Sequence, residues 1–233
     1  MYDGWIKNIC RAGIKALNKR KYDRYINDIR ARGKNLPDFT LLTSDCMGGL
    51  IYHTLGRQFL SPTINLSIKD SDFLKLISDL PYYFSQEFLF KEWTNYPVGS
   101  IGEESRKVEV RFEHYKTEED AVAKWNDRKM RLTNDIYVIM ADLDLSNEEL
   151  ESFKQLNKRL NVKRKIMFTW NKNRADGKEI FFVNSYGRQR VKSYSKLRKD
   201  GFRDYEIFFD YIKWMKMEDD FMLDKGNLVD STL

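Results

Sequence analysis

Residues 136–141 read Ile-Tyr-Val-Ile-Met-Ala, an unbroken apolar run of strand length. A strand covered on one face alternates apolar and polar residues. A run that is apolar at every position needs cover on both faces, as an interior strand of a parallel sheet has. Strand-like and helix-like stretches alternate on either side of it. The pattern predicts an α/β fold, with a mostly parallel central sheet flanked by helices.

The opening unit of that fold is residues 39–56, Phe-Thr-Leu-Leu-Thr-Ser-Asp-Cys-Met-Gly-Gly-Leu-Ile-Tyr-His-Thr-Leu-Gly. Phe39 to Leu42 is β-favouring, Leu50, Ile51 and Leu55 fall at helical spacing, and Gly56 is a C-terminal stop. The segment is strand, tight turn, helix. Beyond it, residues 64–68 are extended, and Asp70 or Ser71 caps a helix with Phe73, Leu74, Ile77 and Leu80 on one face, ended by Pro81. Residues 88–93 suit a strand, Tyr96-Pro-Val-Gly99 a turn, and the alternating residues 108–114 a strand ending at His114. Thr117 caps a helix to about residue 131, and Ser146 caps one to about residue 160. Strands are predicted over 165–170 and 180–183, a polar loop over 171–178, a basic Tyr-bearing loop over 185–203, and a helix over 205–217.

The net charge of +6 is unevenly placed: residues 1–36 carry +7 and the remainder −1. In this arm Trp5, Ile6, Ile9, Gly13, Ile14 and Leu17 share one helical stripe, and Lys7, Arg11 and Lys15 another. Tyr22, Tyr25, Ile26 and Ile29 resume the apolar pattern. Such a basic amphipathic N-terminal helical arm suits an anionic membrane surface, and equally a helix packed on the body with its basic face in water. Nucleic acid is disfavoured as a partner, because no recognition motif accompanies the charge. The break at residues 33–38 and the polar tail predict an arm over 1–36, a catalytic-type domain over 37–218 and a flexible tail over 219–233. No apolar run approaches the ~20 residues that span a bilayer, and nothing marks export. Cys10 and Cys46 form no disulfide framework. A cytoplasmic location follows, peripheral on the inner face of the membrane if the arm engages lipid.

Ligands of open α/β sheets gather at the carboxyl ends of the strands, and three predicted strand ends carry reactive side chains. Cys46 lies between a strand and a helix N-terminus, where peptide dipoles favour a thiolate and adjacent glycines let a ligand approach the main chain. A small buried core residue would sit there equally well. His114 leaves a strand and enters a loop, where a general base is well placed. Asp142 and Asp144 follow the apolar strand, spaced either to hold a divalent metal or to begin the turn before Ser146. The two histidines and two cysteines exclude a structural zinc site of the usual spacing. Trp125, Arg128 and Arg131 recur at i, i+3 and i+6. They suit stacking on a sugar or adenine and forking onto a phosphate, or a packed Trp with solvated arginines.

These segments carry a resemblance. Thr-Ser-Asp-Cys-Met-Gly-Gly-x-x-Tyr, Ser-Pro-Thr, Tyr-Pro-Val-Gly, His-Tyr-Lys-Thr-Glu-Glu-Asp-Ala, Lys-Trp-Asn-x-Arg and strand-Asp-x-Asp occur in that order over residues 38–215. The set resembles a bacterial family of unassigned function found among capsule and exopolysaccharide biosynthesis proteins. Members usually read Ser-Asn-Asn-Cys-Trp-Gly-Gly and Ser-Asp-Arg-Asp; this chain has Asp45 and Met47 in the first motif, and Ala141 and Leu143 in the second. Cys46, Gly48, Gly49, His114, Trp125, Arg128, Asp142 and Asp144 match.

The resemblance implies sugar-polymer biosynthesis and a shared site for the three strand ends. The first expectation is transfer of an acyl group, most simply acetyl from acyl-CoA, to a hydroxyl of a sugar or lipid-linked saccharide, with no tightly bound cofactor. Cys46 is then nucleophile, His114 base and Asp142 its orienter, with Gly48 and Gly49 N–H groups as oxyanion donors. Ser44, Asp45, Tyr52, Trp125, Arg128, Arg131 and Asp144 hold substrate. A variant has His114 deprotonate the sugar directly while Cys46 lines the pocket. The alternatives are a glycosyltransferase with Mn²⁺ or Mg²⁺ on Asp142 and Asp144 and a nucleotide-sugar donor, or a non-catalytic membrane-associated assembly protein.

Overall fold

The computed structural model describes residues 2–143, 145–158, 160–183 and 194–223, apart from the side chains of residues 2–15 and 158. Asp144, the side chains of the stripe from Trp5 to Ile14 and of Cys10, residues 185–193 of the predicted basic loop, and residues 224–233 of the predicted tail lie outside the described residues. The chain divides into two units, one of residues 1–36, 53–57 and 194–233, the other of 37–52 and 58–193.

The larger unit contains two sheets. The first has four parallel strands in the order β1 (Thr40–Thr43), β6 (Ile136–Asp142), β7 (Val162–Thr169) and β8 (Ile180–Phe182). β6 is interior, as its apolar run requires, and Tyr137 to Met140 are all buried. Helices α2 (Met47–Leu55), α3 (Asp70–Ser78), α4 (Leu80–Ser85), α5 (Glu118–Lys129) and α6 (Asn147–Lys154) lie between the strands in sequence. α5 and α6 begin at the predicted caps: Thr117 accepts from Asp120 N, and Ser146 and Glu149 form a reciprocal capping box.

The second sheet is antiparallel, in the order β2 (Ser67–Ile68), β5 (Val108–Arg111), β4 (Val98–Ile101) and β3 (Leu89–Lys91). Sequence reading places a turn at Tyr96-Pro-Val-Gly99, but the chain enters β4 at Val98. Pro97 precedes the strand, where its missing N–H costs no ladder bond. A Cβ on Gly99 would come 3.0 Å from Phe88 and 3.1 Å from Phe90, so glycine is there because aromatic rings cross the strand. The helix expected over 70–80 is two helices. Pro81 opens α4 rather than ending α3, since a first-turn residue has no intrahelical N–H bond to lose, and Asp79 accepts from Tyr82 N at 3.3 Å.

The smaller unit contains α1 (Tyr2–Gly33) and α7 (Tyr211–Met215). The helix expected over 205–217 is a 3₁₀ turn at Tyr205–Ile207 followed by α7, whose first turn Asp210 caps through Ile212 N and Lys213 N. Tyr22 and Tyr25 pack on Phe202 with ring centroids 5.3 Å apart in each case, Tyr22 Oη donates to Glu206 at 3.3 Å, and Arg32 pairs with Asp210. Burial pushes the Glu206 carboxyl upward, against the pull of Arg203 N and Tyr22. The second half of α1 thus packs on its own unit, while Lys19, Arg20, Lys21 and Arg24 stay exposed. Among the described residues no helix is long and apolar enough to cross a membrane.

Candidate functional site

The turn after β1 is built by its own polar residues. Thr43 Oγ1 donates to Asp45 O at 2.8 Å and accepts from Gly48 N at 3.2 Å, while Asp45 Oδ1 accepts from Met47 N at 2.9 Å. Leu50 N donates to Cys46 O at 3.1 Å, which puts Cys46 at the helix cap, half-buried and at the carboxyl end of β1. Neither Gly48 nor Gly49 has a positive φ. Their role is steric. A Cβ on Gly48 would lie 2.8 Å from Thr43 Oγ1, and one on Gly49 would lie 2.8 Å from Asn65 Oδ1. Thr63 Oγ1, from the Ser-Pro-Thr segment, accepts from Thr43 N at 3.1 Å and fixes the same strand end.

His114 arrives from the other sheet. β5 ends at Arg111, Phe112 is buried and donates its N–H to Pro97 O at 2.9 Å, and Tyr115 N closes a turn onto Phe112 O at 2.9 Å. This turn presents His114 at the surface, with Nε2 3.4 Å from Cys46 Sγ. A hydrogen-bonded thiol and imidazole can exchange a proton, which makes the sulfur a nucleophile. Met47 N–H and Gly48 N–H are already given to Asp45 and Thr43, so Gly48 is not the oxyanion donor expected. Gly49 is the first-turn N–H with no side-chain acceptor among the described residues.

Asp142 does not orient His114. It is the last residue of β6, in register with Thr169 of β7, and 1% exposed. Its Oδ2 accepts from Thr169 Oγ1 at 2.8 Å, and its Oδ1 from Arg174 Nη1 at 2.8 Å and Leu145 N at 3.2 Å. These bonds hold two strand ends and the following loops together. A metal on Asp142 would have to displace Arg174, and among the described residues no group of three His, Cys, Asp or Glu is placed to hold a metal. Cys46 and His114 therefore stand as a dyad.

Three other expected substrate residues are structural, and the fourth is paired at the surface. Trp125 is 2% exposed and packs edge-on against Phe84 and Phe88, with centroids 5.8 and 5.2 Å away, because the face it shares with Ala121 turns into the core. Arg128 is buried and donates to Ile64 O at 2.9 Å and Tyr115 Oη at 2.7 Å, with its guanidinium over Phe59. Tyr52 is fully buried, stacks on Phe39, donates to Phe39 O at 2.6 Å and accepts from Leu41 N at 3.1 Å. Arg131 pairs with Asp127 one helical turn away.

The sequence marks Asp70 only as a helix start, and the structure gives it a place at the site. Lys69 is the cap residue and Asp70 the first residue of α3. Its Oδ1 accepts from Ser44 Oγ and its Oδ2 from Leu143 N, both at 3.2 Å, so one carboxyl joins the ends of β1 and β6. Burial raises its pKa to about 7, against the pull of Leu143 N and Ser44 and with help from the charges of Asp45 and Asp142. It lines a cleft of about 510 Å³ together with Ser44, Asp45, Asp72 and Arg111. Burial by distant segments leaves no local mark in Lys-Asp-Ser-Asp, and the sequence points only to Ser44 and Asp45 of this cleft.

The shift sets a pH dependence. A folded pKa of about 7 against an ordinary 3.8 means that between those values the native state holds the proton more tightly. The stabilisation from Asp70 is complete below the lower value and is lost as pH rises through about 7. Asp70→Asn, whose amide oxygen can accept from Leu143 N and whose amide nitrogen can donate to Ser44 Oγ in place of the bond accepted there, is expected to gain on the wild type steadily from about pH 4 to about pH 7. Urea unfolding at several pH values measures this; a constant difference across the range would remove the shift.

Residues 18–216 match the family described as Domain of unknown function (DUF1919). An uncharacterized protein of Haemophilus influenzae (strain KW20 / Rd) is 29% identical over 203 residues, which cover 85% of this chain and 94% of that protein. Neither description names an activity. Both Cys46 and His114 lie within the matched span.

Proposed function

We propose that this chain, which belongs to the DUF1919 family, is an acyltransferase that moves an acyl group, most simply acetyl, from acyl-CoA to a hydroxyl of a capsular or exopolysaccharide intermediate. The observation that carries the reading is the 3.4 Å approach of Cys46 Sγ and His114 Nε2 at a parallel-strand end beside a helix N-terminus. The polysaccharide setting rests on the motif order over residues 38–215.

In this mechanism His114 Nε2 takes the thiol proton as Sγ attacks the thioester carbonyl. The CoA sulfur leaves and takes up that proton, and the acyl group stays on Cys46 as a thioester. The sugar hydroxyl then attacks this thioester, passing its proton to His114. Sγ departs as thiolate and regains the proton from His114. With the Met47 and Gly48 N–H groups already given to Asp45 and Thr43, the N–H of Gly49 is the donor for the developing oxyanion.

Intact-mass measurement after incubation with acetyl-CoA tests the covalent step. One acetyl group is expected on the wild type, none on Cys46→Ala, and no dependence on Mn²⁺ or Mg²⁺. Transfer that survives Cys46→Ala without an acyl-enzyme would leave His114 as a direct base. Activity confined to a nucleotide sugar plus metal would overturn acyl transfer.

A further inference from the structure

The cleft beside the dyad has a composition that selects its ligand. Ser44 and Asp45, the two residues before Cys46, line it, and its volume of about 510 Å³ lies in the range of small-molecule sites. Ser67 and Ser71 line it alongside Asp70, and Leu143 and Leu145 add aliphatic residues. Among the described residues no aromatic side chain lines it, so a stacked base or ring finds no partner there. A saccharide fits better, because its hydroxyls both donate and accept and its C–H surfaces are apolar.

Charge narrows the choice. The lining carries four acidic side chains, Asp45, Asp70, Asp72 and Glu109, alongside Lys69 and Arg111. Glu109 is paired with Arg111 at 3.2 Å and Lys91 at 2.7 Å, Asp72 with Lys75 at 3.3 Å, and Lys69 is exposed, which leaves Asp45 and Asp70 as the acids of the lining outside these ion pairs. A uronate or sugar phosphate entering here would meet the acidic groups of Asp45 and Asp70, and Arg111, the guanidinium of the described lining, already donates its Nε to Glu109. Asp70 differs from Asp72 and Glu109 in its donors: those two are ion-paired, whereas Asp70 accepts from the Ser44 hydroxyl on one oxygen and Leu143 N on the other, leaving lone pairs for a ligand.

We propose that this cleft is the acceptor subsite and takes a saccharide without negative charge, with Asp70 receiving one of its hydroxyls. The word acceptor rests on the acyl-transfer reading; the binding chemistry does not.

The test is saturation-transfer NMR on the full chain with methyl α-glucoside, methyl N-acetyl-β-glucosaminide and glucuronate. The two neutral glycosides are expected to bind, and glucuronate about tenfold more weakly or not at all, a difference of about 1.4 kcal/mol. Asp70→Asn is expected to lose about tenfold for the neutral glycosides, whereas Cys46→Ala binds like wild type. Ser71→Phe, which fills the cleft from its rim without entering the core, is expected to abolish binding and serves if Asp70→Asn does not fold. Equal or tighter binding of glucuronate, no binding of either glycoside, or wild-type binding by a folded Asp70→Asn or Ser71→Phe would overturn the proposal. Acetylation of Cys46 together with any of those results would sink the cleft and leave the acyltransferase standing. Neutral-sugar binding without acetylation would do the reverse.

Discussion

His114→Ala is expected to lower sugar acylation by about 10²–10⁴-fold, the usual contribution of a positioned general base. His114 is exposed, and its hydrogen-bond partner among the described residues is Cys46, so the substitution removes little packing and the melting temperature should stay close to wild type. The loss should fall on both halves of the reaction, since the same nitrogen takes the thiol proton and later the sugar proton. Slow formation of acetyl-Cys46 and slow decay of the purified acetyl-enzyme in the presence of acceptor are therefore both expected. A variant that acetylates normally but transfers slowly would confine His114 to the second step. Full activity in both would remove it from the site.

Trp125→Ala should have the largest effect on stability, a loss of about 3–5 kcal/mol for a buried aromatic replaced by a small side chain. The ring packs edge-on against Phe84 and Phe88, and its removal leaves a cavity in a close-packed core. Trp125 Nε1 is buried and has no hydrogen-bond partner among the described residues. Trp125→Phe deletes that unpaired donor while keeping an aromatic in place, so it should cost far less. Urea unfolding of the two variants separates these cases, and KM for donor and acceptor should be unchanged in Trp125→Phe. A stable Trp125→Ala protein with a raised KM would return this residue to substrate binding.

The local pattern of the chain was enough to specify much of its architecture. The apolar run at 136–141 required an interior strand, the strand–turn–helix at 39–56 placed Cys46 between β1 and α2, and Thr117 and Ser146 start the helices they were expected to cap. These are properties of neighbouring residues: period, cap chemistry and side-chain size. The antiparallel sheet was harder to see, because its strands are two to four residues long and β4 hides behind Pro97 and Gly99.

What only the tertiary structure decided was which side chains share a place. The i, i+3 spacing of Trp125 and Arg128 put them on one helical face, but whether that face met water or the core depended on Phe84, Phe88 and Tyr115, distant in sequence. Asp142 was rightly placed at a strand end, in register with Thr169, and its carboxylate bonds Thr169, Arg174 and Leu145 N rather than His114. Asp70 gained its burial and its shifted proton affinity from Ser44 and Leu143, 26 and 73 residues away. The approach of Cys46 to His114 spans 68 residues and two different sheets. Sequence spacing encodes the face a residue occupies; the contacts across that face are set by the packing of segments that no local pattern connects.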